Sequence, residues 1–139
     1  MNEYLKPLPK SDPLTARFWD SVNRENLEIQ CCDDCKSFVF YPRALCPTCG
    51  SRSLRWTRVS GRGEIYSLTI VHRPTNAAFK ADAPYVVAIV QLEEGCRLMS
   101  NIVNVPADPK LVAIGMPVEV VYDRVTQDTV LPKFKLATT

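Results

Sequence analysis

Histidine is almost missing from this chain: His72 is the only one in 139 residues. A lone histidine near a strand end reads as a surface or hydrogen-bonding residue, and no matching acid and nucleophile accompany it. There is no Gly-rich phosphate loop, no Ser-His-Asp order and no metal motif with an open ligand position. No apolar run approaches the roughly 20 residues that a membrane helix needs. Residues 1–12 carry charge, Pro7 and Pro9 but no hydrophobic signal core. Charge of one sign is lacking as well, with a net +2 and a pI near 8.2. A nucleic-acid binder usually shows a pI above about 9 and clustered basic residues, and only Arg52, Arg55, Arg58 and Arg62 hint at such a patch. Internal repeats and low-complexity segments are also missing. These absences argue against a free-standing enzyme and a membrane-spanning helix. They imply a cytoplasmic chain, in a reducing compartment where thiolate–metal chemistry is favoured over disulfides.

What the chain does have is cysteine in a tight pattern. Cys32-Asp33-Asp34-Cys35 is followed after ten residues by Cys46-Pro47-Thr48-Cys49. Two C-x-x-C pairs supply four thiolates, which is what tetrahedral zinc with soft ligands asks for. Each pair forms a knuckle turn, and the segment 36–45 is long enough to run out and back as a hairpin. Two disulfides are the alternative, but they suit a secreted miniprotein. Four cysteines close the coordination sphere and leave no place for a catalytic water, so the zinc is structural. A ribbon this short cannot bury enough apolar surface to fold unaided. A structural zinc brings roughly 10–16 kcal/mol of apparent binding energy, which is folding energy here. Cys31 adjoins Cys32; two equal knuckles make Cys32 the ligand and Cys31 a spare thiol, with Cys31 as ligand the less regular option. Cys96, at a strand start, reads as a small buried hydrophobe.

The 46% apolar and 23% charged content are those of a globular protein. Residues 1–10 should be extended or mobile. Asp12-Pro13 reads as a helix start, and Leu14, Phe18 and Val22 recur at four-residue spacing beside Arg17 and Trp19. This amphipathic helix should end near Asn26, and its aromatic stripe either covers its own protein or docks on a partner. Residues 27–31 form the first ribbon strand and 38–43 the return path. Gly61-Arg62-Gly63 punctuates a turn or bulge before a strand over 64–73, with Tyr66, Leu68 and Ile70 on one face and Ile65 and Val71 on the other. Residues 73–84 form a loop, 84–92 and 96–105 a hairpin about Glu93-Glu94-Gly95. A short helical turn is expected within 106–115, then strands over 117–125, with Val118, Val120 and Tyr122 inward, and 132–137. Five strands with a short helix before the fourth match the OB-fold barrel.

Beyond zinc, binding is the better prospect. Loop 73–84 carries Arg73, Phe79 and Lys80, a lip for a phosphorylated or acyl ligand or simply solvated residues. Tyr41-Pro42-Arg43 places an arginine beside the ribbon, where it meets a phosphate, a partner carboxylate or only the face of Tyr41. Glu93 and Glu94 are ordinary solvated turn carboxylates.

Phe18-Trp19, Cys32-x-x-Cys35, Phe40-Tyr41-Pro42-Arg43, Cys46-Pro47-x-Cys49, Gly61-x-Gly63 and Glu94-Gly95 follow one another in a familiar order. From about Thr15 to Tyr122 the chain resembles a family of rubredoxin-like zinc-ribbon plus OB-fold proteins that accompany thiolases and other acyl-CoA enzymes. One departure stands out: the family often has glycine after the second cysteine, where this chain has Lys36. The resemblance implies a mainly β protein in three parts: a tail and helical arm (1–26), a zinc ribbon (27–55) and a five-stranded OB-fold domain (56–139). It also implies a non-catalytic, zinc-binding accessory subunit of a thiolase, thiolase-fold aldolase or acyltransferase complex. Such a subunit stabilises the partner and shares the CoA thioester with it, with the catalytic side chains on the partner. The residues put forward for contact with CoA or the partner are Arg17, Phe18, Trp19, Tyr41, Arg43, Arg73 and Lys80. Two other readings remain: a single-stranded nucleic-acid module using Trp56, Tyr66 and Arg52 to Arg62, and a CoA-thioester binder without an obligate partner.

Overall fold

The computed structural model of the protein describes residues 4–137; residues 1–3 of the expected N-terminal tail, and residues 138–139, lie outside it. The chain opens with one helix, α1 (Ala16–Asn23). Asp12 starts it through a reciprocal cap, accepting from the Thr15 amide at 2.8 Å while the Thr15 hydroxyl accepts from the Asp12 amide at 3.2 Å. The end is a left-handed stop at Glu25 (φ 56°), with the Asn26 amide donating to the Ser21 carbonyl at 2.9 Å. Phe18 and Val22 are buried on the protein's own body.

The ribbon is a three-stranded sheet in the order β2-β1-β3, from β1 (Glu28–Cys32), β2 (Phe38–Val39) and β3 (Leu54–Arg58). The return path 38–43 keeps only two residues in the ladder; Gln30 faces Val39 and Cys31 faces Phe38. The longer partner of β1 is β3, in register from Glu28–Arg58 to Cys32–Leu54, a strand whose polar side chains carry no strand pattern of their own.

Five further strands close a barrel: β4 (Arg62–Val71), β5 (Tyr85–Leu92), β6 (Arg97–Val103), β7 (Pro117–Arg124) and β8 (Val130–Leu136). Their order is β4-β5-β6-β8-β7, with β7 returning to β4 and one short parallel contact, Ile102 to Phe134, between β6 and β8. This is the expected five-stranded OB-fold architecture. Burial alternates strictly along β5, with Val86, Ala88, Val90 and Leu92 inside. Gly63 is required where β4 and β5 begin to pair, since a Cβ there would lie 2.2 Å from the Gln91 carbonyl oxygen.

Two expectations change. A register shift between Ile65 and Ser67 re-phases β4, so Ile65 is buried, Leu68 and Ile70 pack against the core and Tyr66 is thrown outward. An extra residue reverses which side chains face in, and no period in the sequence announces it. The helical turn expected in 106–115 is a single turn in which the Leu111 and Val112 amides both donate to the Asp108 carbonyl, with Val112 buried. Within loop 73–84, Ala77–Asp82 forms a 3-10 helix capped by the Asn76 side chain.

One core runs through both parts. Phe18, Val22, Leu27 and Ile29 join Ile65, Val90, Val118 and Phe134, whereas Cys32, Val39 and Cys46 form a separate small cluster at the ribbon tip.

Candidate metal centre and its neighbouring clefts

The ends of β1 and the two knuckles bring Cys32, Cys35, Cys46 and Cys49 together, with all four sulfurs within 4.8 Å of one another. Cys32 lies 3.6 Å from Cys49, and Cys35 lies 3.6 Å from Cys46. A regular tetrahedron with zinc–sulfur bonds of about 2.3 Å has edges of about 3.8 Å, so the sulfurs fit a structural zinc. The Cys31 thiol is buried away from this cluster, 3.7 Å from the Lys36 carbonyl oxygen.

The two knuckles are built alike. In the first, the Cys32 amide donates to the Ser37 carbonyl and the Lys36 amide to the Cys32 carbonyl; in the second, Cys46 donates to Ser51 and Gly50 to Cys46. Each needs a left-handed residue after its second cysteine, filled by Gly50 (φ 79°) and by Lys36 (φ 64°). Lysine bears a Cβ penalty there, so Lys36→Gly is expected to stabilise the zinc-loaded protein by about 1 kcal/mol, read as a raised Tm with unchanged zinc stoichiometry.

The four thiols cannot share their negative charge without a cation. Hydrogen bonds from the Ser37 side chain and amide bring Cys35 down to about 6. The Ser51 amide pulls Cys49 downward, but its thiol neighbours and burial together push it up to about 12. A bound divalent cation eases that conflict by drawing all four sulfurs into the thiolate form and offsetting half of their combined charge. Around the site, Arg55 pairs with Asp33 at 2.9 Å and the Ser51 hydroxyl donates to Asp34 at 2.5 Å, tying the first knuckle to the second and to β3.

Beside the ribbon, β1 carries two buried polar residues that the sequence reading missed, Glu28 and Gln30. The Gln30 amide pairs with the Arg43 backbone, accepting from its amide at 2.8 Å and donating to its carbonyl at 3.0 Å. That pins the Tyr41-Pro42-Arg43 loop and leaves the Arg43 side chain exposed. Glu28 accepts from Arg17 at 2.8 Å and from the Ser21 hydroxyl at 2.9 Å. Arg17 holds the Glu28 carboxyl below its ordinary range. The lowered value means that the pair stabilises the fold above the unfolded carboxyl's pKa near about 4.3 and loses this as pH falls through the folded value. Glu28→Gln is therefore expected to cost about 1–2 kcal/mol at pH 7, discounted for the exposure of Arg17, with the difference from wild type shrinking below about pH 4 in denaturant titrations.

The other residues put forward for contact separate into groups. Phe18, Trp19 and Tyr41 line an apolar cleft of about 330 Å³ together with Phe40 and Met99. Phe18 itself is buried, while Tyr41 is 48% and Met99 69% exposed. Tyr41 and Arg43 border a second cleft with Leu14 and Leu45. Arg73 and Lys80 are exposed on their loop and line neither. Of the nucleic-acid candidates, Trp56 packs against the core, and the exposed Tyr66 ring is covered by the Arg97 guanidinium at 3.6 Å. Burial pushes the Cys96 thiol up to about 11, which fits an inert core position.

This arrangement has relatives. Family models for the ChsH2 rubredoxin-like zinc ribbon domain and the ChsH2 C-terminal OB-fold domain match residues 19–55 and 56–123. A DUF35 domain-containing scaffold protein of Methanothermobacter thermautotrophicus is 40% identical over 116 residues, covering 82% of this chain and 85% of that protein. The chain belongs to the DUF35 family. Among solved structures, a chain of an Ltp2-ChsH2(DUF35) aldolase superposes with a TM-score of 0.82 at 34% identity, over 94% of this chain and 100% of that one. A DUF35 protein from Sulfolobus solfataricus shares the fold at 13% identity, with a TM-score of 0.63. A probable enoyl-CoA hydratase alpha subunit of Thermomonospora curvata is 35% identical over 133 residues, but this chain spans only 40% of its length. The zinc ribbon match and the four converging cysteines together support a structural zinc in the ribbon. No helix of the described residues is long and apolar enough to cross a membrane.

Proposed function

We propose that this DUF35 chain is a non-catalytic scaffold subunit of an acyl-CoA enzyme complex, with a thiolase-fold partner that carries the reacting side chains. The observation that carries the reading is the closed four-sulfur site: its ligands leave no open coordination position for chemistry. Similarity to a chain of the Ltp2-ChsH2(DUF35) aldolase, and to proteins named as hydratase alpha subunits, supports a partnered role. The exposed apolar side chains Leu14, Tyr41, Leu45 and Met99 supply contact surface of the kind that partners cover.

Co-expression with the thiolase-fold enzyme of the same cells, followed by size-exclusion chromatography with light scattering, tests it. The expected result is a stable hetero-oligomer whose thioester activity requires both chains. A partner that is monodisperse and fully active alone sinks the proposal.

A further inference from the structure

A cavity of about 630 Å³ lies between the N-terminal strap at Tyr4, Lys6 and Pro7 and the barrel end where β5 starts and β6 finishes. That volume is in the range of small-molecule sites. Three aromatic rings line it: Tyr4 on the strap, Phe79 on the 3-10 helix and Tyr85 on β5, with Phe79 and Tyr85 6.1 Å apart. The strap is latched by Lys6, which pairs with Asp82 and lies 5.9 Å over the Phe79 ring.

The polar groups of the cavity select among ligands. Its two ammonium groups are both neutralised, Lys6 by Asp82 and Lys133 by Asp123 at 2.6 Å. A carboxylate or phosphate placed inside would therefore meet as much negative charge as positive. A purely apolar ring would leave the Asn101 amide facing it. Asn101 is oriented by the bond from its Nδ2 to the Val86 carbonyl at 2.9 Å, which leaves Oδ1 as its acceptor. The matching ligand is flat, uncharged within the cavity, and carries a hydrogen-bond donor on its edge.

We propose that this cavity is a binding site for an aminopurine-like heteroaromatic ring, stacked on Tyr85 and Phe79 and donating an exocyclic N–H to Asn101 Oδ1, with the Lys6–Asp82 latch holding the strap over it. The chain builds this site from its own residues, so the proposal stands apart from the partner reading.

Adenosine titrated into the zinc-loaded, 15N-labelled full chain is the test, with purine riboside, which lacks the exocyclic amine, as comparison. Adenosine is expected to saturate with a Kd of about 0.1–1 mM, shifting amides of residues 79–85 and 101–105. Purine riboside should bind about fivefold more weakly, as should adenosine to Asn101→Ala. Tyr85→Leu keeps bulk without the ring and should also weaken binding; it decides the matter if Asn101→Ala fails to fold. No saturable shift, shifts confined to the outer strand face around Tyr66, or equal binding of both nucleosides by wild type and variants would overturn the proposal.

Discussion

Removal of zinc by a strong chelator, or the Cys46→Ser substitution, is expected to unfold the ribbon tip over residues 32–53 while the barrel stays closed. The metal supplies about 10–16 kcal/mol of apparent folding energy, comparable to or above the roughly 5–15 kcal/mol that stabilises a whole domain. Nothing at the tip replaces it. Cys32, Val39 and Cys46 form a cluster of three buried residues, packed only by Cys35 and Leu54. The barrel has its own closed ladder and its own interior. Amide exchange provides the measurement: protection at Cys32, Lys36, Cys46 and Gly50 should vanish, while that at Val90 and Ile102 persists. Simultaneous loss at both sets would mean that tip and barrel fold as one unit. Mild acid is expected to act in the same direction, because protons compete with zinc for the thiolates.

Phe18→Ala is expected to cost about 3–5 kcal/mol and lower Tm by roughly 10–20 °C. Phe18 is 2% exposed and joins three parts of the chain: its ring meets Trp19 at 5.0 Å within the helix and Phe40 at 5.4 Å beside the ribbon. It also belongs to the same core as Phe134. Leu14, 43% exposed at the helix start, is the contrasting position. Leu14→Ala should change stability by no more than about 0.5 kcal/mol, while weakening whatever complex the cleft beside Tyr41 supports. A Phe18→Ala protein with unchanged Tm would mean that the helix is not held by its own body.

The features that were legible in the sequence are those carried by local pattern. The two C-x-x-C pairs specify their own geometry, and the nearly continuous apolar run from Tyr85 to Val90 marks β5 as a strand without saying which of its faces is inside. Asp12-Pro13 likewise marks a helix start within a few residues. What stayed hidden depends on partners distant in sequence or on one-residue shifts. Glu28 looks like an exposed strand residue until Arg17 and Ser21 arrive beside it from α1. Gln30 matters only because residue 43 returns alongside it. Leu54–Arg58 is too polar to read as a strand, because its ladder to β1 rather than its side chains holds it. The bulge at Tyr66 and the latch between Lys6 and Asp82 leave no periodic trace. The left-handed turn at Lys36 is a middle case: the matching knuckle at Gly50 shows the need, and lysine meets it under strain.

The packing of α1 against β8 also sets a timetable for synthesis. The strand that finishes the helix's cover is made roughly a hundred residues after it, about 5–20 s at ordinary elongation rates. Arg124, whose guanidinium donates to the Asn23 carbonyl at 3.1 Å, arrives almost as late. Early in that interval Phe18 and Val22 have only β1 and Phe40 to lean on. The nascent chain therefore carries a sticky amphipathic segment through that interval, and a chaperone that grips such segments has its window there, closing when β8 docks.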